Sequence, residues 1–355
     1  MSTTKVCYVV ESFSGGVFNL IKDSVKALQD EYDQEFIFTI IYSIREDIPD
    51  AFEQYFKNVT FIHLQMGSRA VERSDIQVIF KLRQLLLQQK VIHLHSSRAG
   101  FLGRLAIATL WTKPKSYYSP HSFAFLNLEF SLLKRKLIWL VEYILANLTK
   151  TIFVASGPTE YELAFHLSRQ TLLVTNGIDQ PEHCHNINLE KNKKAQKKFF
   201  RVTGCGRNCL QKDPDFFISI ANEFENESIE FKWIGDIDNP KYATGWVPRD
   251  DVFTLLDHSD IYLATSLWEG LPINGLEAMH LKKPLIVRRT SSFIDLVEHG
   301  KNGYIFDSVP EAVSYIKALK SDPELLITMG ESSKNIALDK FSIKNYLKLA
   351  NLYRS

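Results

Sequence analysis

The chain has 355 residues, of which 45% are hydrophobic and 23% are charged, and its formal net charge is +1 at pH 7. This length exceeds one ordinary hydrophobic core and suits two domains, while the near-neutral charge excludes the strongly basic field of a nucleic-acid binder. Four cysteines without Cys-x-x-Cys spacing predict reduced thiols, and the first residues lack a signal-peptide pattern, so we expect a soluble, cytoplasmic protein.

Apolar runs alternate with helical patterns along the whole chain. Runs without polar alternation are typical of strands that are covered on both faces of a parallel α/β sheet. The first series of predicted strands is Lys5–Glu11, Glu35–Tyr42, Val59–Gln65, Lys90–His95, Ser116–Ser119, Thr151–Ala155 and Leu172–Thr175; the second is Phe199–Gly204, Glu230–Ile234, Asp260–Thr265, Pro284–Arg288 and Gly303–Phe306. The pattern predicts an α/β protein with two doubly wound, Rossmann-like domains.

A polar, lysine-rich stretch separates the two series of strands. It predicts a first domain over residues 1–178, a linker over 179–198 and a second domain over 199–340. Residues 341–355 have helical apolar spacing, and this C-terminal helix is a candidate for packing back on the first domain.

Ligands of open parallel sheets bind beyond the carboxyl ends of the strands. Gly15 and Gly16 follow the first strand, where missing side chains would let the backbone approach a phosphate or sugar, although a purely structural turn fits equally well. Ser96 and Arg98 follow the fourth strand, and we interpret them as polar groups that could reach a cleft. His121 lies in the loop after the fifth strand, and we interpret it as a substrate contact.

Two other features of the first half have competing interpretations. His93 and His95 lie on one face of the fourth strand, which favours packed histidines over metal ligands. The segment Phe130–Leu148 combines leucines with three consecutive basic residues, a tryptophan and a tyrosine. This pattern favours a core helix and leaves contact with an anionic membrane as the alternative, while Glu142 makes the stretch too interrupted to span a bilayer.

The second half places charged residues at two predicted strand ends. Arg207 and Lys212 share one short loop, so a planar fork and a point charge could converge on a diphosphate. Glu269 and Glu277, separated by seven residues, flank the start of a predicted helix. Helix-end N–H groups favour anionic oxygens, and carboxylates accept hydrogen bonds from hydroxyls. A ligand with both kinds of group is a nucleotide sugar.

The turn between the two glutamates supplies the remaining candidate contacts to such a donor. Gly270 and Leu271 lie within this turn, and Pro272 follows them without an N–H group to offer. We therefore expect Ile273 and Asn274 to provide the backbone donors at the start of the helix.

Over essentially its whole length, the chain resembles the retaining nucleotide-sugar glycosyltransferases of family 4, which have the two-domain GT-B fold. Within that family it is most similar to enzymes of bacterial surface-polysaccharide assembly. The matching motifs are Gly15-Gly16, His95-Ser-Ser-Arg-Ala-Gly100, Ser119-Pro-His-Ser-Phe123, Thr175-Asn-Gly-Ile-Asp179, Gly206-Arg207 with Lys212, and Glu269-x7-Glu277. The last of these is the most specific.

The resemblance implies a role for each matching donor-side residue. Gly16 would flank the donor, and Arg207 with Lys212 would hold its diphosphate. Glu277 would bond the ribose hydroxyls, and Glu269 would contact the donor sugar. The expected reaction is metal-independent transfer, without a cofactor, from a nucleotide-diphosphate sugar, expected to be UDP-linked, to a glycan or lipid-linked oligosaccharide acceptor.

The catalytic and acceptor-side expectations complete this hypothesis. The catalytic candidates are Glu269, His121, Arg207 and Lys212, and the acceptor-side candidates are Ser96, Arg98 and His121. A lipid-linked acceptor would bring the protein to the inner face of the plasma membrane. The alternatives are a GT-B sugar-nucleotide epimerase and a non-catalytic sugar-nucleotide binder. The segment 289–293 lacks the glycine pair of many relatives, which leaves the identity of the donor sugar open.

Overall fold

The protein divides into two compact units, Met1–Gly177 with Ile343–Ser355, and Ile178–Ser342. The computed structural model describes residues 3–44, 48–67, 74–178, 199–290 and 292–354. The predicted linker, residues 179–198, lies outside this description. Each unit contains one sheet of parallel strands covered by helices, so the predicted α/β class is confirmed.

The first unit is built on a sheet of seven strands. They are β1 (Thr4–Val10), β2 (Phe36–Tyr42), β3 (Val59–His63), β4 (Val91–His95), β5 (Lys115–Ser119), β6 (Ile152–Ala155) and β7 (Thr171–Leu173). Its helices are α1 (Gly15–Tyr32), α2 (Ser74–Leu86), α3 (Ser97–Ala108), α4 (Leu132–Thr149) and α5 (Pro158–Leu167). The strand order is β3-β2-β1-β4-β5-β6-β7. Successive strands are therefore added towards one side of the sheet up to β3 and towards the other side from β4 onwards, with the switch between β1 and β4.

The second unit has a sheet of five strands, all paired in parallel. They are β8 (Phe200–Cys205), β9 (Ile229–Ile234), β10 (Ile261–Ala264), β11 (Leu285–Arg288) and β12 (Gly303–Phe306), in the order β12-β11-β10-β8-β9. The helices are α6 (Pro214–Asn222), α7 (Arg249–Asp257), α8 (Ile273–His280), α9 (Val309–Ser321) and α10 (Pro323–Lys340). Here the order reverses between β8 and β10, and loops at such a switch point are where open sheets bind ligands.

Three helices of the second unit begin with the same local signal. Asp213, Ser308 and Asp322 each accept a hydrogen bond from a backbone N–H of the first turn, and each helix has proline at its first or second position. These caps satisfy donors that have no partner within the helix, and proline presets the backbone angle without wasting a hydrogen bond.

The C-terminal segment packs within the first unit. Helix α11 (Lys348–Arg354) brings the Tyr353 hydroxyl within 3.0 Å of the Tyr8 hydroxyl and within 2.7 Å of His93 Nδ1. The Tyr117 hydroxyl donates to the Leu352 carbonyl at 2.5 Å. Because strands β1, β4 and β5 all contribute partners, the end of the chain is tied to the centre of the first sheet.

Helix α4 is only half buried, and the core interpretation of this segment is wrong for its outer face. Leu145 and Ala146 pack into the core, whereas Leu133 is 79% exposed and Leu148 is 64% exposed. Glu142 is buried because Arg104 donates to it at 2.6 Å, while the guanidinium also lies 4.4 Å from the centre of the Tyr118 ring. None of the helices that the structure describes is long and apolar enough to cross a membrane.

Candidate functional site

The carboxyl edge of the second sheet carries an ion pair between two predicted site residues. Lys212, in the loop after β8, places its Nζ 2.5 Å from Glu269 Oε1, in the loop after β10. The Gln211 side-chain amide donates to the other Glu269 oxygen at 3.3 Å. Both charged side chains are largely buried, at 14% and 9% exposure, so the pair is held in one arrangement.

Neighbouring hydrogen bonds fix the two loops that carry this ion pair. The Thr265 hydroxyl donates to the Lys212 carbonyl at 2.9 Å, and the Leu267 N–H donates to the Gln211 carbonyl at 2.8 Å. The Ser292 hydroxyl donates to the Glu269 carbonyl. The ion pair therefore lies on a preorganised frame, as catalysis by electrostatic stabilisation requires.

Gly206 leaves room for the lysine. Its φ of +156° lies in a region that other residues rarely adopt, and a Cβ atom there would lie 2.8 Å from Lys212 Cγ. The Gly206 carbonyl accepts a hydrogen bond from the Trp233 indole at 2.9 Å. The glycine thus lets the Lys212 stem lie directly against the backbone on its way to Glu269.

Helix α8 begins at the same edge with open backbone donors. Its N-cap is Pro272, which makes no side-chain cap, so the N–H groups of Ile273 and Asn274 open the helix. The Asn274 side-chain amide donates to the Cys205 carbonyl at 3.2 Å and so ties the helix to the end of β8. Gly270 and Leu271 occupy the turn before it, with Leu271 buried.

The charged groups of this edge affect the pKa of one thiol, that of Cys205. The pKa of the Cys205 thiol is raised to about 11, with burial as the largest cause; Lys212 and Asn274 act to lower it, and the carboxylates of Glu277 and Glu269 act to raise it. The Glu277 side chain is itself buried. The raised pKa keeps the thiol protonated and unreactive at neutral pH.

Arg207 differs from Lys212 in its surroundings. Its side chain is exposed, and within the described parts of the chain no hydrogen bond or ion pair holds it. In addition to Lys212, a second cation is held at this edge, and sequence reasoning did not single it out. Arg288 donates to Asp213 at 2.5 Å and lies 4.2 Å from the centre of the Phe216 ring.

The carboxyl edge of the first sheet carries histidines instead of charged pairs. His121 Nε2 lies 3.0 Å from His95 Nδ1, and the two rings stack at an angle of 10°. His93 bonds Tyr353 through Nδ1 and Ser119 through Nε2, so it is the packed histidine that the sequence predicts. Among the described residues, no partner is found for His95 Nε2 or His121 Nδ1.

Burial keeps all three imidazoles neutral. It lowers the pKa of His121 to about 4 and that of His93 to about 3, with the charge of His121 contributing to the second shift. The pKa of His95 is lowered well below its ordinary value, first by burial and then by the other two histidines. The hydrogen bond between His95 Nδ1 and His121 Nε2 contains one proton. If His95 donates this proton from Nδ1, the neutral His121 ring carries its own proton on Nδ1 and can act as a donor there.

The loop that carries His121 is held by a buried carboxyl group. Glu160 accepts hydrogen bonds from the Ser122 N–H at 2.9 Å and the Ser156 N–H at 2.8 Å. The backbone at His121 and Ser122 has φ values of +52° and +97°, both costly for residues with side chains. Burial raises the pKa of Glu160 despite these hydrogen bonds. The strained loop is therefore fixed by specific contacts.

The other first-unit candidates occupy different surroundings. Gly15, with φ +50°, begins helix α1, and both Gly15 and Gly16 are exposed. The Ser96 hydroxyl donates to Glu11 at 3.4 Å, which joins the carboxyl ends of β1 and β4. The Arg98 guanidinium is engaged by the Met66 carbonyl and by Asp75, so it braces helices α2 and α3.

Sequence reasoning missed several residues that support these sites. They are Glu11, Glu160, Gln211, Arg288 and Ser292. Glu11 and Arg288 each end a predicted strand, so their positions were a usable signal. The other three act mainly through contacts with residues distant in sequence, and no local pattern distinguishes them.

Two pairs of aspartates that could suggest a metal site follow strands β8 and β9 of the second unit. The sequence contains Asp213-Pro-Asp215 and Asp236-Ile-Asp238, but Asp213 pairs with Arg288 and Asp238 accepts a hydrogen bond from Asn208 at 2.7 Å. Within the described residues, no group of three or more histidine, cysteine, aspartate or glutamate side chains could hold a metal ion.

The sequence matches two families along adjacent parts of the chain. Residues 14–180 match the family described as Glycosyltransferase Family 4, and residues 211–336 match Glycosyl transferases group 1. Together these matches cover most of both units. The chain therefore belongs to the family 4 glycosyltransferases, with the GT-B fold, as the motifs predicted.

Individual relatives and solved structures agree with this assignment. The chain is 28% identical over 310 residues to the Escherichia coli UDP-Gal:alpha-D-GlcNAc-diphosphoundecaprenol alpha-1,3-galactosyltransferase, which covers 79% of each chain. It is 24% identical over 257 residues to the Escherichia coli O-antigen biosynthesis glycosyltransferase WbnH, covering 68% of this chain and 70% of that one. Anabaena HepE, solved with UDP and glucose, superimposes with a TM-score of 0.76 at 17% identity, over 99% of this chain and 100% of that one, which shows the fold alone.

Proposed function

We propose that this glycosyltransferase moves a sugar from a UDP-sugar to a lipid-linked glycan acceptor during assembly of a bacterial surface polysaccharide. The observation that carries the proposal is the buried Lys212–Glu269 pair beside the open start of helix α8. A diphosphate leaving group gains charge as the glycosidic bond breaks, so a fixed lysine and helix-end N–H groups stabilise the transition state more than the ground state. The relatives' UDP-galactose donor and O-antigen role support the choice of substrates.

The individual residues have distinct roles in this proposal. Lys212 neutralises the leaving diphosphate, with Arg207 closing on its exposed side. Glu277 accepts hydrogen bonds from the ribose hydroxyls, and Glu269, whose second oxygen is held by Gln211, accepts one from the donor sugar. His121 presents a neutral ring nitrogen to the reacting sugar, since burial lowers its pKa to about 4.

The proposed reaction retains the anomeric configuration and needs no metal ion. The acceptor hydroxyl attacks from the side on which the diphosphate leaves, and a phosphate oxygen takes its proton. Positive charge from Lys212 and the helix start serves the purpose for which other transferases use a cation. Such a reaction requires no covalent nucleophile, and the Cys205 thiol has no such role in this proposal.

The proposal is tested with purified protein, a panel of UDP-sugars and a polyprenyl-diphosphate GlcNAc acceptor. We expect UDP release only when donor and acceptor are both present, together with a product of unchanged anomeric configuration by NMR. Equal rates with and without EDTA would agree with metal-independent transfer. Interconversion of the UDP-sugar without acceptor would identify an epimerase, and UDP binding without turnover on any acceptor would identify a non-catalytic binder.

A further inference from the structure

The outer face of helix α4 is an exposed apolar surface of the first unit. Its exposed large side chains include Leu132, Leu133, Leu137, Trp139, Leu140, Tyr143, Ile144 and Leu148. Five of them, at positions 133, 137, 140, 144 and 148, follow the helical repeat and form one stripe along the whole helix. Exposed apolar groups that cluster in this way mark an interaction surface, whereas scattered ones do not.

The packing of helix α4 fixes the direction in which this stripe faces. On the inner side, Arg104 donates to Glu142 at 2.6 Å, and Ala146 joins the core. Near the start of the helix, Arg135 donates to the Phe125 carbonyl at 2.7 Å. The helix cannot rotate to bury its leucines without breaking a buried ion pair, so the apolar face is a constant feature of the first unit.

The charges around the apolar face are predominantly positive. Helix α4 and its C-cap carry Lys134, Arg135, Lys136 and Lys150 against one acid, Glu142, which is neutralised by Arg104. Lys134 and Lys136 are exposed on helix α4 itself.

From these observations we infer that the outer face of helix α4 docks on an anionic lipid bilayer. Leucines enter the acyl boundary, stacked Trp139 and Tyr143 take the interfacial depth that such rings prefer, and the lysines meet lipid phosphates. Lys134 lies 3.5 Å from the centre of the Phe130 ring, so its ammonium is held close to the apolar surface. A protein partner would not require this combination of a leucine stripe, interfacial aromatics and surrounding lysines.

This docking surface also gives the proposed lipid-linked acceptor a route to the site, a consequence that rests on the proposed function. The bond from Arg135 to the Phe125 carbonyl ties the start of helix α4 to the segment that follows His121. A bilayer on the outer face would therefore lie next to the carboxyl edge that holds the acceptor-side candidates. The lipid chain could remain in the membrane while its sugar head reaches the histidine.

Vesicle flotation tests the inference without donor or acceptor, so its outcome is independent of transferase activity. We expect the protein to float with phosphatidylcholine vesicles that contain phosphatidylglycerol and to remain unbound with phosphatidylcholine alone. The Leu133→Gln/Leu137→Gln/Leu140→Gln and Lys134→Glu/Lys136→Glu variants should each lower the partition coefficient about tenfold or more. Salt should weaken binding of the wild-type protein.

Matched controls separate the helix face from general effects of hydrophobicity and charge. Ile327→Gln/Leu338→Gln changes exposed apolar side chains of the second unit, and Lys5→Glu/Lys57→Glu changes charge equally within the first. Both controls should bind vesicles as the wild type does, and all variants should keep its melting temperature because every altered side chain is exposed. Unchanged binding of both helix variants would overturn the inference. So would a wild-type dimer that ignores vesicles and dissociates in the leucine variant, since a second copy would then cover the face.

Discussion

The two sheets present different chemistry at equivalent edges. Beyond the strands of the first unit lie the imidazoles of His95 and His121, which burial keeps neutral. Beyond those of the second unit lies the ion pair of Lys212 and Glu269. One fold type therefore offers neutral hydrogen-bonding groups in one unit and fixed charge in the other. The difference suits the proposed transfer, in which the donor carries a charged diphosphate and the acceptor reacts through an uncharged hydroxyl.

The largest expected effect comes from removing the fixed charge of the second unit. Lys212→Met should lower kcat/KM about a thousandfold, because the transition state loses its main cationic contact. His121→Asn, at the carboxyl edge of the first sheet, should lower kcat/KM about tenfold. Both are measured by UDP release with saturating acceptor, and Lys57→Met serves as the control for loss of one lysine.

Removing the lysine also leaves Glu269 buried without its partner, which lowers stability by about 3–5 kcal/mol. The Lys212→Met/Glu269→Gln double variant separates the two consequences. It should recover the melting temperature but not the activity. If the double variant recovered activity as well, the lysine would have a structural role only, and the comparison between charged and neutral edges would fail.

A smaller effect is expected at the second carboxylate of the charged edge. Glu277→Gln keeps the shape of the side chain but weakens charge-assisted hydrogen bonds to hydroxyls, so UDP should bind about tenfold to a hundredfold more weakly. Isothermal titration calorimetry with UDP measures the change, and Glu331→Gln, an exposed residue of helix α10, is the control. An unchanged Kd would remove Glu277 from the nucleotide site.

The smallest effect concerns the pH dependence of stability in the neutral edge. The folded-state pKa of His121 is about 4, below its ordinary value of 6.5, so the unfolded chain binds more protons between these limits. The contribution of the neutral His121 ring to the free energy of unfolding is therefore complete above pH 6.5 and is lost as the pH falls towards 4. His121 alone should contribute a loss of about 1–2 kcal/mol by pH 5.

Urea unfolding at neutral and acidic pH, followed by circular dichroism, measures this loss. His121→Asn should reduce the difference between the two conditions, because the variant has one fewer buried group to protonate. His63→Asn, an exposed histidine of the first unit, should leave the difference unchanged. Equal pH dependence in all three proteins would show that the histidine edge does not hold a neutral, desolvated cluster.

Much of the fold was predictable because it depends on local pattern. Each of the twelve predicted apolar runs is a strand in the structure, displaced by at most a few residues, since continuous burial in a parallel sheet selects such runs directly. The family assignment followed from the same kind of local information, because glycines, helix starts and strand ends impose their residue types on short segments. Strand order and which helix face is covered are not local in this sense.

The candidate sites show where local information stops. The sequence by itself determined that Lys212 and Glu269 follow strands and that Glu277 lies in the helix after Glu269, because these positions follow from apolar runs and turn residues. Tertiary structure alone decided that Lys212 is paired while Arg207 is exposed, that Arg98 braces two helices, and that His95 stacks on His121. It also decided that the leucines of helix α4 face outward. The physical reason is that pairing, burial and pKa depend on neighbours brought together from distant parts of the chain.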